Sequence, residues 1–480
     1  MRRISRCPTG IAGLDELLGG GFPRGAAVIV AGAPGTGKTV FSAKFVYEGA
    51  RRYGEAGVYL SFLESRSEFM DFMSTLGMDF EELEKRGLFR YVEGVEVITE
   101  DAAVEVIKDL IAEVTRVKAK RVVIDSTSAI LQAFKEGEVR EALKDMLISG
   151  LKRLGVTSLL ILEASEEARI GEAVEEFLAD GVIILKARSS GGFLVREMEI
   201  RKMRGSPIPY SRIPFDIVSG EGIRLYPPVR LEEIPPPSAE VIYTLDNEYF
   251  NEALGGGINR GSQVAVISYA PKVSFYIALC LARALASKYG GRLVIRSYAH
   301  SPTTLKALER SCLLMEHLML DTSRPKKDYE LIYVSVNPTS KPLYAIATDN
   351  RSLDLKLKED FLVADSMEII PADMTEIFKE HMNNVWVRRK LGITAFYTFS
   401  RKILETHPEF FNIYDFIITV KMTVYEGLPC LYITVTKTIE LKPTRPIMLC
   451  YDLSSSRYAI KSGYRRVSSD GNEQLRWRSY

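Results

Sequence analysis

Residues 32–39 read Gly32-Ala-Pro-Gly35-Thr-Gly37-Lys38-Thr39, a complete GxxxxGK[ST] pattern. Glycines at this spacing let the backbone bend tightly, so that successive N–H groups point into one concavity suited to phosphate oxygens. A helix starting near Gly37 adds its positive end to the same concavity. Lys38 is placed to reach β- and γ-phosphates, and the Thr39 hydroxyl to ligate Mg²⁺. Gly32, Ala33, Pro34, Gly35, Thr36, Gly37, Lys38, Thr39 and Val40 are therefore expected to bind a nucleoside triphosphate, with ATP and Mg²⁺ as the cofactors. Two acids end apolar runs further along. Asp125 closes "RVVID" and is expected in the Mg²⁺ shell, where strand ends meet the ligand crevice of an open sheet. Glu64 follows "VYLSFL" and is the candidate to orient or deprotonate water.

Such groups must be gathered at one edge of a sheet, and the sequence supplies the elements for that. Ala26–Ala31, "VYLSFL" (58–63), "RVVIDS" (121–126) and "TSLLILEA" (157–164) read as buried strands. Ser65 and Glu68 form a capping-box signature opening a helix that stops near Gly77, and another helix is expected around Glu138–Leu154. "GVIILKARSSGGFLVREMEIRKMRG" reads as a hairpin turning at Ser189–Gly192. Alternating strands and helices imply a mostly parallel twisted sheet covered on both faces.

The chain then repeats itself. "LDELLGGGFPRGAAVIVAGAPGTGKTVF" from Leu14 and "FNEALGGGINRGSQVAVISYAPKVSF" from Phe250 share one frame, shifted by 236 residues without a gap. Under that shift Gly32, Gly35 and Gly37 become Ser268, Pro271 and Val273, while Lys38 and Thr39 become Ser274 and Phe275. Glu64 falls on His300, and Asp365-Ser366 takes the place of Asp125-Ser126. The second copy is expected to keep the architecture and lose the phosphate site. Five prolines in "RLYPPVRLEEIPPPSAEV" mark the boundary. The expected organisation is an intact domain over 1–230, a linker over 231–239, a degenerate domain over 240–453 and a basic, flexible tail over 454–480.

Bulk properties exclude several classes. Composition is that of a globular protein, with 46% apolar and 26% charged residues, and no uninterrupted apolar run is long enough for a membrane helix. "MRRISRCPTGIAGLDELL" lacks the apolar core and cleavage site of a secretory signal. Five scattered cysteines without CxxC spacing are expected as free buried thiols in a cytoplasmic protein. Residues 1–237 carry 32 basic against 36 acidic side chains and the remainder 31 against 26, so neither half demands nucleic acid.

The segments "TGIAGLDELLGGGFPRG", the phosphate loop, "SFLES", "VVIDS", "AVEEFLADGVIIL" and "EIRKMRG" occur in the order seen in the KaiC family of circadian-clock ATPases and its archaeal relatives. That resemblance is specific over residues 1–220 and eroded over 240–453. It implies an α/β fold class of two tandem RecA-like P-loop NTPase domains, the second degenerate. It also implies ATP hydrolysis in a homo-oligomeric ring, commonly a hexamer, with a Lys-x-Arg-Gly pair reaching a neighbour's γ-phosphate. Here that pair is Lys202 and Arg204. The family usually has two adjacent acids where this chain has Leu63-Glu64; if the first acid is the base, Leu63 replaces it and hydrolysis is expected to be slow or absent. The expected function is that of an ATP-binding regulatory protein with an unidentified protein partner and no membrane. The alternative is a RecA-paralogue-like DNA-binding protein, for which the tail's interleaved basic and aromatic residues are the motive. Autophosphorylation, which the clock proteins perform through their second domain, is not expected from a copy without a phosphate loop.

Overall fold

Short uninterrupted runs of Val, Ile, Leu and Ala become central strands here, because a strand covered on both faces buries every residue of such a run. The computed structural model describes residues 4–94, 99–132, 148–163, 179–190, 193–227, 235–365, 367–437, 445–452, 454, 457–467 and 473–479. The chain divides into two units, Met1–Pro228 and Val229–Tyr480.

The large sheet of the first unit has nine strands: β1 (Ala27–Gly32), β2 (Gly57–Ser61), β3 (Phe89–Glu93), β4 (Arg121–Asp125), β5 (Thr157–Glu163), β6 (Gly181–Ser190), β7 (Phe193–Met203), β8 (Arg212–Val218) and β9 (Gly222–Leu225). Their order is β9-β8-β7-β6-β1-β5-β4-β2-β3. Strands from β3 to β6 run parallel, and β6 to β9 form an antiparallel wing. Residues alternate between the two faces. Val28, Val30, Tyr59 and Val123 pack with Phe41 and Phe45 of α1 (Lys38–Tyr53) and Phe69 of α2 (Arg66–Thr75). Ala27, Ile29, Leu60 and Ile124 pack with Ile107 and Leu110 of α3 (Glu100–Arg116). The Ser65–Glu68 capping box forms as its sequence indicates.

The large sheet of the second unit has ten strands: β10 (Gln263–Ser268), β11 (Gly291–Ser297), β12 (Tyr329–Ser335), β13 (Phe361–Ala364), β14 (Thr394–Ser400), β15 (Phe416–Tyr425), β16 (Leu428–Lys437), β17 (Ile447–Asp452), β18 (Arg457–Val467) and β19 (Glu473–Ser479). Their order is β12-β11-β13-β14-β10-β15-β16-β17-β18-β19. Element by element this repeats the first sheet with one strand added. The 236-residue shift carries Ala27–Gly32 onto Gln263–Ser268, so the repeat is one of architecture as well as sequence.

The structure departs from expectation in two places. The segment expected as a flexible tail supplies β18 and β19, because β17 presents an open edge whose backbone groups pair with β18. The cysteines expected as free thiols pair as Cys280–Cys312 and Cys430–Cys450, leaving Cys7 free and buried. Cys430 and Cys450 are directly opposed across β16 and β17, and Cys280 on α4 (Pro271–Tyr289) meets Cys312 beyond α5 (Pro302–Ser311). Neither juxtaposition has a signature in linear spacing. Among the described residues no helix is long and apolar enough to cross a membrane. The first half of the expected linker, much of the helix expected around Glu138–Leu154 and part of "AVEEFLADGVIIL" lie outside the described residues.

Candidate functional site

The phosphate-loop sequence leaves β1 at Gly32 and enters α1 at Lys38. Gly37 has φ 100°, in the left-handed region, and a Cβ there would approach Ile217 Cδ1 of β8 to 3.0 Å. The positive φ favours glycine, and any side chain there would also press on Ile217. Lys38 Nζ donates to the carbonyls of Gly32 at 2.9 Å and Ala33 at 3.0 Å, so the charged group folds over the mouth of the loop. Burial pulls its pKa down, with Glu163 and Asp125 nearby acting in the opposite sense. No acid lies in the first turn of α1, which leaves that positive end for a ligand anion.

Asp125 is the last residue of β4 and is buried. Its Oδ2 accepts from the Thr39 hydroxyl at 2.9 Å and from the Tyr59 hydroxyl at 2.8 Å. Burial raises its pKa, while the two hydroxyl bonds and Lys38 act against that rise. These are hard oxygen donors, the kind Mg²⁺ selects. Among the described residues no three or more His, Cys, Asp or Glu side chains gather as a metal cage, so a cation here needs ligand oxygens from elsewhere. Mg²⁺ bound through one carboxylate, one hydroxyl and substrate phosphates fits that donor set.

Glu64 and Leu63 diverge. Leu63 is 68% exposed, whereas Glu64 is half-buried with Oε2 lacking a hydrogen-bond partner among the described residues. Ser61 Oγ accepts from the N–H groups of both residues, and Tyr91 donates to the Glu64 carbonyl at 2.7 Å, fixing the turn. Burial, then the Asp125 charge, raise the Glu64 pKa. Three participants escaped the sequence reading. Glu163 ends β5 in register with Gly32 and has the strand-end signal that identified Asp125. Tyr59 and Ser42 sit within apolar or helical runs and carried no signal.

Lys202 and Arg204 sit elsewhere. Lys202 pairs with Val182 on β6, and Arg204 Nη1 meets Asp180 Oδ1 at 3.3 Å. The backbone N–H of Asp180 bonds the Ala27 carbonyl at the start of β1. The phosphate loop leaves the other end of β1, five residues on, or about 16 Å at the usual strand rise. Within one chain the basic pair and the loop occupy opposite edges of the sheet.

In the second unit two residues, Tyr269 and Ala270, separate β10 from α4, against five between β1 and α1. Pro271 starts the helix where Gly35 stands in the first unit, since proline is preorganised for a first turn and glycine is not. Tyr269 lies under Arg401, 5.5 Å from guanidinium to ring centre. Asp365, the counterpart of Asp125, accepts from the Tyr298 and Ala299 N–H groups at 2.7 and 3.2 Å and from the Ser297 hydroxyl. Glu440, aligned with Arg204, lies outside the described residues.

A family model described as "ATPase: KaiC" matches residues 7–230. The circadian clock oscillator protein KaiC of Parathermosynechococcus lividus is 32% identical over 272 residues, covering 55% of this chain and 50% of that protein. The circadian clock protein KaiC2 of Synechocystis sp. is 27% identical over 404 residues, 82% of this chain and 70% of that protein. A UPF0273 protein of Aeropyrum pernix is 36% identical over 242 residues, 47% of this chain and 94% of that protein. The chain thus spans about half the length of the clock oscillator protein it matches.

Proposed function

This chain belongs to the KaiC-like group of the RecA superfamily, and from that premise we propose that it is an ATP-binding regulatory protein whose first domain hydrolyses ATP slowly. The observation that carries the reading is the convergence of Lys38, Thr39 and Asp125 on one buried edge, with Thr39 and Asp125 2.9 Å apart. The loop N–H groups and the positive end of α1 hold the phosphates, and Lys38 exchanges its loop carbonyls for phosphate oxygens. Thr39 and Asp125 hold Mg²⁺, which when bound neutralises charge on the phosphates. Glu64, oriented by the Ser61 and Tyr91 bonds to its backbone, orients water or takes its proton.

The nucleotide state sets association with other copies, or with a protein partner. Lys202 and Arg204 act on the nucleotide of a neighbouring subunit in a ring, a reading supported by their distance from their own chain's loop. The second domain is a non-catalytic scaffold. Helix α4 begins among the residues aligned with the phosphate loop, and the Asp365 carboxylate accepts from the Tyr298 and Ala299 N–H groups. Phosphate release and nucleotide affinity, measured for wild type and Lys38→Ala, test the reading. Lys38→Ala is expected to lose binding, and equal affinity in the two proteins excludes the site.

A further inference from the structure

Tyr59 lies on β2 with no exposed surface, and its ring packs against Phe69 and Tyr91 at centroid distances of 4.7 and 5.9 Å. Phenylalanine would fill that space equally well. The hydroxyl needs a separate explanation, because a buried hydroxyl is costly unless hydrogen-bonded. It donates to Asp125 Oδ2 at 2.8 Å and lies 3.0 Å from Ser42 Oγ. Ser42 Oγ in turn lies 3.0 and 3.1 Å from the carbonyls of Lys38 and Thr39, in the first turn of α1. The Thr39 hydroxyl closes the ring on the same Asp125 oxygen.

We propose that Tyr59 is a positioning residue for the metal-binding carboxylate, tying Asp125 to the helix turn that carries Lys38 and Thr39. The inference rests on the reading of the first domain as an ATP–Mg²⁺ site. Thr39 is itself an expected ligand, so its geometry changes when the cation arrives and it cannot hold Asp125 independently. Tyr59 can, because its hydroxyl, while donating to Asp125, can accept from Ser42 of α1, and its ring is held by Phe69 and Tyr91. Its bond occupies Oδ2 and fixes the rotation of the carboxylate before metal binds. Residues that orient a metal ligand in this way typically contribute about 10–100-fold in metal affinity.

The test uses the full chain and a fluorescent ATP analogue, with affinity measured in EDTA and at graded Mn²⁺. Tyr59→Phe is expected to leave affinity in EDTA within about twofold and to cut the Mn²⁺-dependent gain about tenfold. Ser42→Ala keeps the ring in place and removes the second anchor. It is expected to shift the Mn²⁺-dependent gain in the same direction, by less. A purely structural role predicts that affinity falls equally with and without Mn²⁺. That result, or an unchanged gain in both variants, overturns the proposal while leaving the nucleotide site intact. A wild type that binds no analogue overturns the nucleotide reading, and this inference with it.

Discussion

At residue scale the neighbours Leu63 and Glu64 divide the catalytic question between them. The turn after β2 sends Leu63 outward and half-buries Glu64 beside the Asp125 charge. If Glu64 acts on water, Glu64→Gln should lower phosphate release by about 10²–10⁴-fold, the usual worth of a general base. Leu63→Glu, which restores the family's acid pair, should change release by less than about threefold, since the exposed side chain leaves the Glu64 contribution intact. The reverse ranking in a phosphate-release assay would move the base to position 63. Burial also raises the pKa of both Glu64 and Asp125, so each binds its proton more tightly in the folded chain. Where the native state holds more protons than the unfolded state, stability falls as pH rises. Each group's contribution is therefore full below its ordinary value and is lost as pH climbs through the raised one. Thermal melts of nucleotide-free wild type and Asp125→Asn across that range should show a smaller loss in the variant, where Glu64 alone still contributes. The motif residues Lys38, Thr39 and Asp125 were legible because a phosphate loop is contiguous and a strand-end acid is a local pattern. Tyr59 was not, because a tyrosine in a buried strand looks the same whether its hydroxyl meets a carboxylate or not.

At element scale the two halves show what a few glycines decide. In the first unit Gly35 and Gly37 have φ 78° and 100°, which holds the chain out of helix until Lys38. In the second, Pro271 and Val273 allow α4 to begin three residues earlier relative to the 236-residue frame. Strand positions followed directly from the apolar runs, most to within a residue or two. Pairings between elements did not, and the cysteines are the clearest case. Cys280–Cys312 and Cys430–Cys450 close loops with sequence separations of 32 and 20 residues. Disulfides of this kind typically contribute about 2–4 kcal/mol each. Alkylation of the unreduced, denatured protein should modify one cysteine, Cys7, and reduction should expose all five. Reduction should also lower the unfolding temperature of the second unit. Five reactive thiols before reduction would rule out both bridges.

At the scale of the whole molecule, the same sheet order recurs in both units, and the proposed nucleotide site is the one in the first. That site is incomplete if Lys202 and Arg204 belong to it, because they lie at the far edge of their own sheet. Assembly supplies the missing part in the proposed ring. Arg204→Ala should then bind ATP normally and lose turnover, by up to about 10³–10⁵-fold if it acts as donated arginines do elsewhere. Mixing it with Lys38→Ala should recover activity, since one protein contributes the arginine and the other the phosphate loop. A mixture as inactive as its parts would exclude action across subunits.

The sequence by itself determined the family resemblance, the phosphate-loop motif in the first half of the chain and the repeat of one α/β architecture. Those follow from contiguous residues whose backbone preferences and apolar periodicity act locally. Only the tertiary structure decided which acid faces the site, that Tyr59 and Ser42 brace Asp125, that the cysteines pair and that the basic pair lies away from its own loop. Each of these depends on strand register and helix placement, which bring together side chains far apart in the chain: Tyr59 meets Asp125 across 66 residues. No local pattern encodes such a meeting, because the same short segment docks wherever the rest of the fold holds its partner.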